Sequence, residues 1–510
     1  MISIIPAAKQ VESFPGDFPI DWQQPLAVGL QLQGLAESTS ASYAEWLNKF
    51  CQRSCFSKVG IEFTAATESS TATVQLIVNP QLPREGFELS VQPDRIQIAA
   101  NVSDGDDVSG WQYGLLCLFQ MLWEQKQQGH DSLRCLKIND HPEFSWRGLH
   151  LDVCRHFLDV EFVKRLLDLM VLHRLNRFHW HLTEDQGWRL EVPSRPKLAE
   201  VAAWREKDGA KYGGFYTRDE VQQVIAYAAD RGIQVVPEIE LPGHSVAALA
   251  AYPELACQPR EFSVETNWGV FDDVYCAGNE ATFEFLQEVM DYVIDLFPGD
   301  VIHIGGDECP KTRWKECPKC QQRIKTEGLR DEEHLQSYFV QRMVNYLADR
   351  GRRAIGWDEI LEGGLAEGAM VMSWRGHEGG IAAAKLGHDV VMSPTTHCYF
   401  DFRQVDDPDE MGFHGVITLK DVFDFKPVPA EVSPEDAGHV LGGQANIWTE
   451  RQLFKPENVE YMVVPRICAL AEVLWGHQNR EAPDWDRFRA RLENHCKLLV
   501  ELGYRGRSLS

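Results

Sequence analysis

Eight short apolar runs, each ending in polar or aromatic residues, alternate with amphipathic segments between residues 147 and 450. The runs are "RGLHLDVCRHF" (147–157), "RFHWHLTEDQGW" (177–188), "IQVVPEIELPGHS" (233–245), "VIHIGGDE" (301–308), "RAIGWDEI" (353–360), "AMVMSWRG" (369–376), "DVVMSPTTHCYFD" (389–401) and "HVLGGQANIWTE" (439–450). Helices are predicted between several of them, over Glu161–Leu175, Arg218–Arg231, Thr282–Leu296 and Glu333–Arg350. This alternation predicts a (β/α)₈ barrel of the α/β class. An open doubly wound sheet is the alternative, but no glycine-rich phosphate motif follows the first strand.

The residues before the barrel have a different pattern. Residues 1–140 contain strand-like runs such as "FELSVQPDRIQIAA" and one helix predicted over Asp107–Gln127. A small α/β accessory domain is therefore expected there. The segment "DHPEFSWRG" (140–148), with Pro142, marks the predicted boundary, and residues 141–510 form the predicted barrel domain with a last helix over Trp485–Leu502.

Composition excludes several classes of partner. The net charge of −26 over 510 residues, without a basic cluster, argues against nucleic acid and anionic membranes. The apolar run "YGLLCLFQMLW" (113–123) is too short to cross a bilayer. The first twenty residues lack the basic and apolar regions of a signal peptide, so a cytoplasmic protein is expected. A secreted chain whose signal had been removed would have the same sequence.

Thirteen cysteines are scattered along the chain, which favours reduced thiols over a disulfide framework. One group stands apart, because "CPKTRWKECPKC" places Cys317 and Cys320 in the Cys-x-x-Cys spacing of half a zinc site. Cys309 is a possible third ligand and His334 a possible fourth. A loop of free thiols and a single disulfide remain as alternatives.

Polar side chains collect at the carboxyl end of every predicted strand, the end at which barrel enzymes build their active sites. A cleft with several carboxylates, one arginine and several tryptophans suits a carbohydrate, because indoles stack on sugar faces while acids and arginine bind hydroxyl groups. Two of the acids, Asp307 and Glu308, are adjacent. Neighbouring residues have difficulty flanking an anomeric carbon as the usual pair of glycosidase carboxyls does. They can act on neighbouring atoms from one side, as substrate-assisted catalysis requires.

The motifs "LDVCRHF", "HWHLTEDQGWR", "PEIELPGH", "HIGGDE", "GWDEI", "MSWRG" and "NIWTE" occur in order. Together they resemble glycoside hydrolase family 20, the β-N-acetylhexosaminidases, across residues 146–476. The resemblance implies a retaining exo-enzyme that removes terminal N-acetylglucosamine from oligosaccharides or glycoconjugates, such as short chitin fragments. N-acetylgalactosamine and the oligomeric state are left open. No cofactor and no metal are expected in the site.

The resemblance also implies roles for four catalytic residues. Glu308 would be the general acid and then the base that activates water, and the charge of Asp307 would help to keep it protonated. Asp307 would accept a hydrogen bond from the substrate acetamido N–H, so that the acetamido oxygen attacks the anomeric carbon. Tyr399 would donate a hydrogen bond to that oxygen. His244 would belong to the proton network of Glu308.

The remaining site residues would bind the sugar. Three indoles are expected to form the pocket wall, and charged side chains are expected to bind hydroxyls. The predicted substrate-binding residues are Arg155, Glu184, Asp185, Trp357, Trp374, Asp401, Trp448 and Glu450. Glu184 departs from the family pattern, in which many members have two aspartates before "QGW". By its spacing from Arg155, it is expected to contact the histidine.

Two alternatives remain. Histidines two apart in "HWH" (179–181) lie on one face of a strand and are typical of the metal site of amidohydrolase barrels. In amidohydrolase barrels the histidine pair usually ends the first strand, and a lysine on a later strand also binds the metal. Here the pair falls on the second strand, and no matching lysine is found. The other alternative is a barrel that binds amino sugars without cleaving them, which the fold alone does not exclude.

Overall fold

The computed structural model describes residues 3–32, 37–66, 72–102, 107–477 and 484–509. The strands are β1 (Gln10–Pro19), β2 (Leu26–Gln31), β3 (Phe63–Ala65), β4 (Val74–Val78), β5 (Phe87–Val91), β6 (Ile96–Ala100), β7 (Ser132–Asp140), β8 (Trp146–Asp152), β9 (Arg177–His181), β10 (Thr183–Glu184), β11 (Gly187–Trp188), β12 (Trp204–Lys207), β13 (Ala210–Gly213), β14 (Gln234–Leu241), β15 (Val301–Gly305), β16 (Arg353–Trp357), β17 (Met370–Ser373), β18 (Val390–Met392), β19 (Phe402–Arg403), β20 (Phe413–Val416) and β21 (Val440–Ala445).

The α-helices are α1 (Glu37–Cys51), α2 (Ser54–Lys58), α3 (Ser109–Gln127), α4 (Val160–Leu172), α5 (Arg218–Ala229), α6 (Val246–Ala251), α7 (Glu280–Leu296), α8 (Thr312–Glu316), α9 (Pro318–Thr326), α10 (Glu332–Ala348), α11 (Glu378–Lys385), α12 (Leu419–Asp424), α13 (Pro456–Val463), α14 (Arg466–Glu472) and α15 (Trp485–Glu501). Four barrel helices, α4, α5, α7 and α10, begin and end within three residues of the predicted limits. No helix in the described ranges has the length and apolar character needed to cross a bilayer.

Eight parallel strands close into a barrel in the order β8-β9-β14-β15-β16-β17-β18-β21. Each comes from one of the eight apolar runs, so the predicted (β/α)₈ fold is confirmed. The β8, β9 and β14 strands are buried along almost their whole length, because helices cover the outside and side chains fill the inside. The carboxyl ends of all eight strands therefore meet on one face.

The accessory domain is a seven-stranded sheet in the order β1-β7-β5-β6-β4-β2-β3. Helix α3 lies on this sheet, and its residues from Ser109 to Trp123 are buried all round. The sheet covers one side of the helix and the barrel covers the other. On the barrel side, the Tyr113 ring contacts Trp475, and the Gln112 side chain donates a hydrogen bond to the Arg231 carbonyl. The predicted α/β accessory domain is confirmed.

Charged contacts join the accessory domain to the barrel at the amino ends of the barrel strands. Arg147, the second residue of β8, makes a two-pronged contact with the Glu85 carboxylate at 2.7 and 3.1 Å. Arg174, which precedes β9, bonds to Asp140 at 2.8 Å, and both guanidinium groups lie over the Trp475 ring. The accessory domain thus covers the face opposite the carboxyl ends, a face that serves stability in barrel folds.

Candidate active site

Asp307 and Glu308 project from a turn that requires glycine at two positions. After β15 the backbone takes positive φ angles at Gly305 (64°) and Gly306 (97°), and again at Glu308 (43°). A Cβ on Gly305 would lie 1.7 Å from Glu240 Oε2, and one on Gly306 would lie 2.5 Å from Ile360 Cγ2. The chain therefore reverses tightly and presents both acids at the barrel face. The left-handed backbone of Glu308 is the kind of strain that clusters at functional sites.

His244 links the two acids to a second pair of carboxyls. Its Nε2 lies 3.5 Å from Asp307 Oδ2 and 3.7 Å from Glu308 Oε2. Its Nδ1 lies 2.7 Å from Glu184 Oε1 and 3.3 Å from Asp185 Oδ2. Burial would lower the pKa of His244, but the charges of Glu184 and Asp307 raise it well above its usual value. The ring is therefore an imidazolium set between anions.

Glu184 and Asp185 lie at the tip of a tight hairpin between β10 and β11. Glu184 also contacts Arg155 Nη2 at 3.0 Å, so its longer side chain reaches both the histidine and the arginine. Burial opposes ionisation of Glu184, but Arg155 and His244 hold its pKa well below its usual value. Burial raises the pKa of Asp185 to about 6. Because both carboxyls are buried, we expect them to position His244 and Arg155 behind the substrate.

Arg155 is held by the turn that follows β8. The Asp152 carboxylate accepts hydrogen bonds from the backbone N–H groups of Cys154 and Arg155, and from the backbone and hydroxyl of Thr449. Asp152 therefore ties the Arg155 turn to the Trp448–Glu450 segment after β21. The guanidinium lies 5.1 Å from the Trp448 ring and 3.9 Å from Glu450.

Four aromatic side chains form one wall of the site. Trp357 and Trp448 have ring centroids 5.9 Å apart, and Tyr399 lies 6.5 Å from Trp448. Trp374 stacks on Tyr399 at 6.1 Å. The Trp357 indole donates to Glu238 Oε1, and its side chain is only 1% exposed, so it forms the floor of the pocket. The three predicted indoles and the predicted tyrosine thus face one hollow.

Tyr399 reaches this hollow although it follows β18 by seven residues. The loop pairs with the end of β21, because Phe400 N–H donates to the Asn446 carbonyl and Asn446 N–H donates to the Cys398 carbonyl. Burial, with the negative charges of Asp401 and Asp307, raises the pKa of Tyr399 well above its usual value. The hydroxyl therefore stays protonated and can donate a hydrogen bond.

Unpaired polar atoms lie close to these aromatic rings. In the described part of the chain, Asp307 Oδ1, Asp401 Oδ1 and two guanidinium nitrogens of Arg155 are buried without a hydrogen-bond partner. Buried polar atoms seldom stay unpaired unless a ligand completes them. A sugar offers both the hydroxyl donors and the hydroxyl acceptors that these atoms need.

The acid pair has the electrostatics that a proton donor requires. The Asp307 side chain is 12% exposed, whereas the Glu308 side chain is 42% exposed and open to the cleft. Partial burial and the Asp307 charge raise the pKa of Glu308, against the opposing charges of His244 and Arg155. Glu308 therefore keeps its proton to higher pH than an ordinary carboxyl group.

Sequence reasoning missed Glu359, which lies in the quoted "GWDEI" motif directly after β16. Its Oε2 accepts a hydrogen bond from the Trp374 indole at 2.9 Å. Burial and the Asp307 charge raise the pKa of Glu359 to about 8. Asp358 and Glu359 are adjacent acids that follow a buried strand, as Asp307 and Glu308 do. This repeated pattern is the sequence signal that indicates Glu359 as a site residue.

Glu240 was also missed, although it is an acid inside an apolar strand. Its carboxyl group is buried against Gly305, and neither oxygen has a hydrogen-bond partner among the described residues. Burial, with the charges of Asp307 and Glu238, raises its pKa well above its usual value. Glu240 is therefore a neutral carboxylic acid directly beneath the Asp307 turn.

We expect Glu240→Gln to flatten the pH dependence of stability. Above the ordinary carboxyl pKa of 4.5, the unfolded chain ionises Glu240 while the folded chain keeps the proton. The free energy of unfolding then falls with rising pH, by up to about 1.4 kcal/mol per pH unit. Thermal unfolding between about pH 5 and 8 should show wild type losing stability faster than the variant. Glu161→Gln, on an 82% exposed side chain, is the control that should leave the slope unchanged. Parallel curves for wild type and Glu240→Gln would contradict the assignment.

The "HWH" histidines lie below the site in a buried hub of Glu238 and His150, His179, His181 and His303. Glu238 contacts His179 Nε2 at 2.9 Å, His181 Nδ1 at 2.5 Å and His303 Nδ1 at 2.8 Å. The opposing effects of burial and of Glu238 leave the pKa of His181 raised to about 9 and that of His179 lowered to about 4. The hub supports the Trp357 floor through the second oxygen of Glu238.

The predicted cysteine group was wrong in its partners. Cys317 and Cys320 lie with Cys257 and Cys276, and this group contains neither Cys309 nor His334. His334 instead contacts the Asp331 carboxylate at 2.6 Å. The two added cysteines come from a loop some 40 to 60 residues earlier in the chain, and the Cys-x-x-Cys spacing carries no information about that loop.

Comparison with known proteins places this geometry in a family. Residues 144–478 match the profile of glycosyl hydrolase family 20, catalytic domain, and residues 1–141 match domain 2 of the same family. A beta-hexosaminidase from Porphyromonas gingivalis is 42% identical over 97% of this chain, which spans 63% of that relative's length. A beta-hexosaminidase from Akkermansia muciniphila is 33% identical over 86% of this chain and 89% of its own.

A solved structure shows the same architecture. The GH20 exo beta-N-acetylglucosaminidase from Vibrio harveyi, in complex with N-acetylglucosamine, superposes with a TM-score of 0.84 at 30% identity. The match covers 99% of this chain and 78% of that one. The amidohydrolase alternative is thereby set aside. Both domains, the closed barrel and the motifs at its carboxyl face show that the chain belongs to glycosyl hydrolase family 20.

Proposed function

We propose that the protein is a retaining exo-β-N-acetylhexosaminidase that removes terminal β-linked N-acetylglucosamine from oligosaccharides by substrate-assisted catalysis. One observation carries the proposal: the Asp307 and Glu308 carboxyls approach the same imidazole nitrogen, His244 Nε2, from the same turn. Groups on one side of the hollow cannot take the opposed positions of a nucleophile and an acid. They suit a donor to the leaving oxygen and an anion that steers the acetamido group.

The other carboxyls of the pocket are poor nucleophiles, which supports an attack by the substrate itself. Burial raises the pKa of Asp401 to about 8, so it is mostly protonated at neutral pH. Burial and the Asp307 charge raise the pKa of Glu359 to about 8, so Glu359 is mostly protonated as well. Glu184 is ionised but buried between Arg155, His181 and His244. Asp307 has a buried oxygen, Oδ1, without a hydrogen-bond partner among the described residues, and this oxygen can accept a hydrogen bond from the acetamido N–H.

The proposed reaction has two steps. In the first, Asp307 accepts a hydrogen bond from the acetamido N–H, and Tyr399 donates one to the acetamido oxygen. That oxygen bonds to the anomeric carbon while Glu308 gives its proton to the leaving oxygen, forming a bicyclic oxazolinium. In the second, Glu308 takes a proton from water, which attacks the anomeric carbon and reopens the ring. Two inversions give net retention.

The proposed substrate is held at its hydroxyls by the charged residues of the rim. Arg155 and Glu450 supply charge-assisted hydrogen bonds, which are stronger than neutral ones, and the protonated Asp401 carboxyl supplies neutral hydrogen bonds. Trp357, Trp374 and Trp448 enclose the acetamido group and the sugar face. N-acetylgalactosamine as a second substrate, the cytoplasmic location, and the exclusion of nucleic acid and membranes stay predictions.

A panel of aryl β-glycosides tests the proposal. We expect turnover of the N-acetylglucosaminide, and at least ~10³-fold lower kcat/KM for the plain β-glucoside, because removing the acetamido group removes the nucleophile. Proton NMR should detect the β-anomer of the released sugar first. A thiazoline analogue of N-acetylglucosamine, which imitates the bicyclic intermediate, should be a competitive inhibitor.

Four results would count against the proposal. Efficient cleavage of the β-glucoside, or a sugar–carboxylate adduct found by mass spectrometry, would contradict substrate assistance. Initial release of the α-anomer would contradict retention. Binding of N-acetylglucosamine without turnover of any member of the panel would favour the non-catalytic alternative.

A further inference from the structure

Four cysteines outside the active site form one compact group: Cys257, Cys276, Cys317 and Cys320. The distances between sulfur atoms are 3.7 Å for Cys257–Cys320, 3.8 Å for Cys276–Cys317 and 3.7 Å for Cys276–Cys320. All four sulfurs lie within 4.8 Å of one another. Cys276, Cys317 and Cys320 are fully buried, and Cys257 is partly buried.

These distances match a tetrahedron of thiolates around one ion. A zinc ion with four sulfur ligands at ~2.3 Å separates the sulfurs by about 3.8 Å. A disulfide requires ~2.05 Å between the two sulfurs of a pair. Here Cys276 and Cys320 each contact two other sulfurs at nearly equal distances, so no pair is singled out for oxidation.

The backbone around the group is arranged for thiolates. Cys317 precedes α9 and Cys320 lies in its first turn, where the helix dipole favours negative charge. The Gly278 N–H donates a hydrogen bond to the Cys276 sulfur. A Cβ on Gly278 would lie 2.2 Å from the Lys319 carbonyl carbon, so the loop with Cys276 packs directly on the turn with Cys320.

We propose that Cys257, Cys276, Cys317 and Cys320 bind one structural Zn²⁺ ion. Four protein ligands leave no open coordination position, so the ion takes no part in the chemistry of the sugar. It joins two separate segments: the loop that runs from α6 to α7, and the loop and helix α9 that follow the Asp307–Glu308 turn.

The zinc site closes the base of an 18-residue loop, residues 258–275, that reaches the active-site rim. Glu265 N–H donates to the Asp185 carbonyl, and the Gln186 side chain donates to the Asn267 carbonyl at 2.8 Å. Asp185 in turn contacts His244. At the base, Tyr275 N–H donates to the Pro242 carbonyl, two residues before the histidine. The ion therefore fixes the loop that supports the His244 network.

Metal analysis of the purified wild-type chain is the first test. We expect about one equivalent of zinc per chain, released when a mercurial reagent reacts with the thiols and detected with a chromophoric zinc indicator. Replacement by Co²⁺ should produce the intense charge-transfer and visible bands of a tetrahedral thiolate site. Both measurements use the unaltered chain and need no activity assay.

Variants locate the ion. Cys276→Ser and Cys320→Ser should lose the zinc, lower the Tm and raise KM more than they lower kcat, because the rim loosens while Glu308 and Asp307 remain. Cys51→Ser, at the end of α1 in the accessory domain, is the matched control and should keep zinc, Tm and KM.

The proposal is overturned if folded wild type holds less than about a tenth of an equivalent of metal after exposure to Zn²⁺. A disulfide between any two of the four cysteines, found by mass spectrometry of the alkylated chain, would overturn it as well. Full zinc retention in both Cys276→Ser and Cys320→Ser would show that the metal binds elsewhere, and it would also overturn the proposal.

Discussion

Glu308→Gln is expected to lower kcat/KM for an N-acetylglucosaminide with a poor leaving group by ~10²- to 10⁴-fold. The amide keeps the shape of the side chain, but its N–H groups are too weakly acidic to protonate the leaving oxygen. A dinitrophenyl leaving group needs little protonation, so the loss in the first step should shrink with that substrate. Azide should restore turnover of it, because an anion can open the oxazolinium without a general base.

The pH profile provides an independent readout of the same change. Because burial and Asp307 raise the pKa of Glu308, wild type holds the catalytic proton at low pH and loses it as pH rises through that pKa. kcat/KM should fall on this alkaline limb, and the limb should be absent in Glu308→Gln. Glu161→Gln serves as the matched control and should behave as wild type. A Glu308→Gln variant that kept over a tenth of wild-type activity on the poor leaving group would remove Glu308 from its assigned role.

Asp307→Ala is expected to lower kcat by ~10²- to 10³-fold, the usual cost of losing one group that stabilises charge in the transition state. In the proposed reaction, the Asp307 anion both orients the acetamido N–H and balances the positive charge of the developing oxazolinium. Asp307→Asn keeps a hydrogen-bond acceptor without the charge, so comparing the two variants separates orientation from charge stabilisation. Both should bind the thiazoline inhibitor more weakly than wild type.

The substrate without the acetamido group is the internal control for this prediction. Its residual cleavage cannot use the steering contact, so Asp307→Ala should change it far less than it changes cleavage of the N-acetylglucosaminide. Equal losses on both substrates would mean that Asp307 acts only through the fold or through Glu308. Circular dichroism of the variants should match that of wild type, whereas Tm is expected to change, because Asp307 Oδ2 lies 3.5 Å from His244 Nε2 and the Asp307 charge acts on His244 and Glu240.

The barrel could be predicted because each strand is a local signal. An apolar run followed by polar residues indicates a buried strand, and the polar residues mark its carboxyl end. Asp307, Glu308 and Trp448 could be placed on one face by this reasoning alone. Their order in the chain carries that information, and no long-range contact has to be known.

The contacts that depend on distant partners could not be derived from local signals alone, and the expected contact of Glu184 with the histidine follows only from the family resemblance. Glu184 contacts His244, which lies 60 residues later, and Cys317 contacts Cys276, which lies 41 residues earlier. Tyr399 depends on pairing between its loop and Asn446. In each case the packing of several strands sets the distance, whereas the motif supplies only the residue type.

Glu240 lies between these two cases. Side chains two apart on a strand face the same side, so Glu238 and Glu240 in "PEIEL" both had to point into the barrel or both out of it. The burial of the strand indicates the interior. The neutral state of Glu240 follows only from its packing against Gly305 and from the Asp307 charge above it.

The ion pairs between the accessory domain and the barrel limit how this protein can be divided into separate domains. Arg147 and Arg174 are fully buried and rely on Glu85 and Asp140, two carboxylates that lie outside the barrel strands. A buried cation without its partner typically destabilises a protein by ~3–5 kcal/mol, a large share of a domain's total stability. The barrel is therefore not an exchangeable module. A recombinant protein that contains the barrel therefore has to contain the seven-stranded sheet as well.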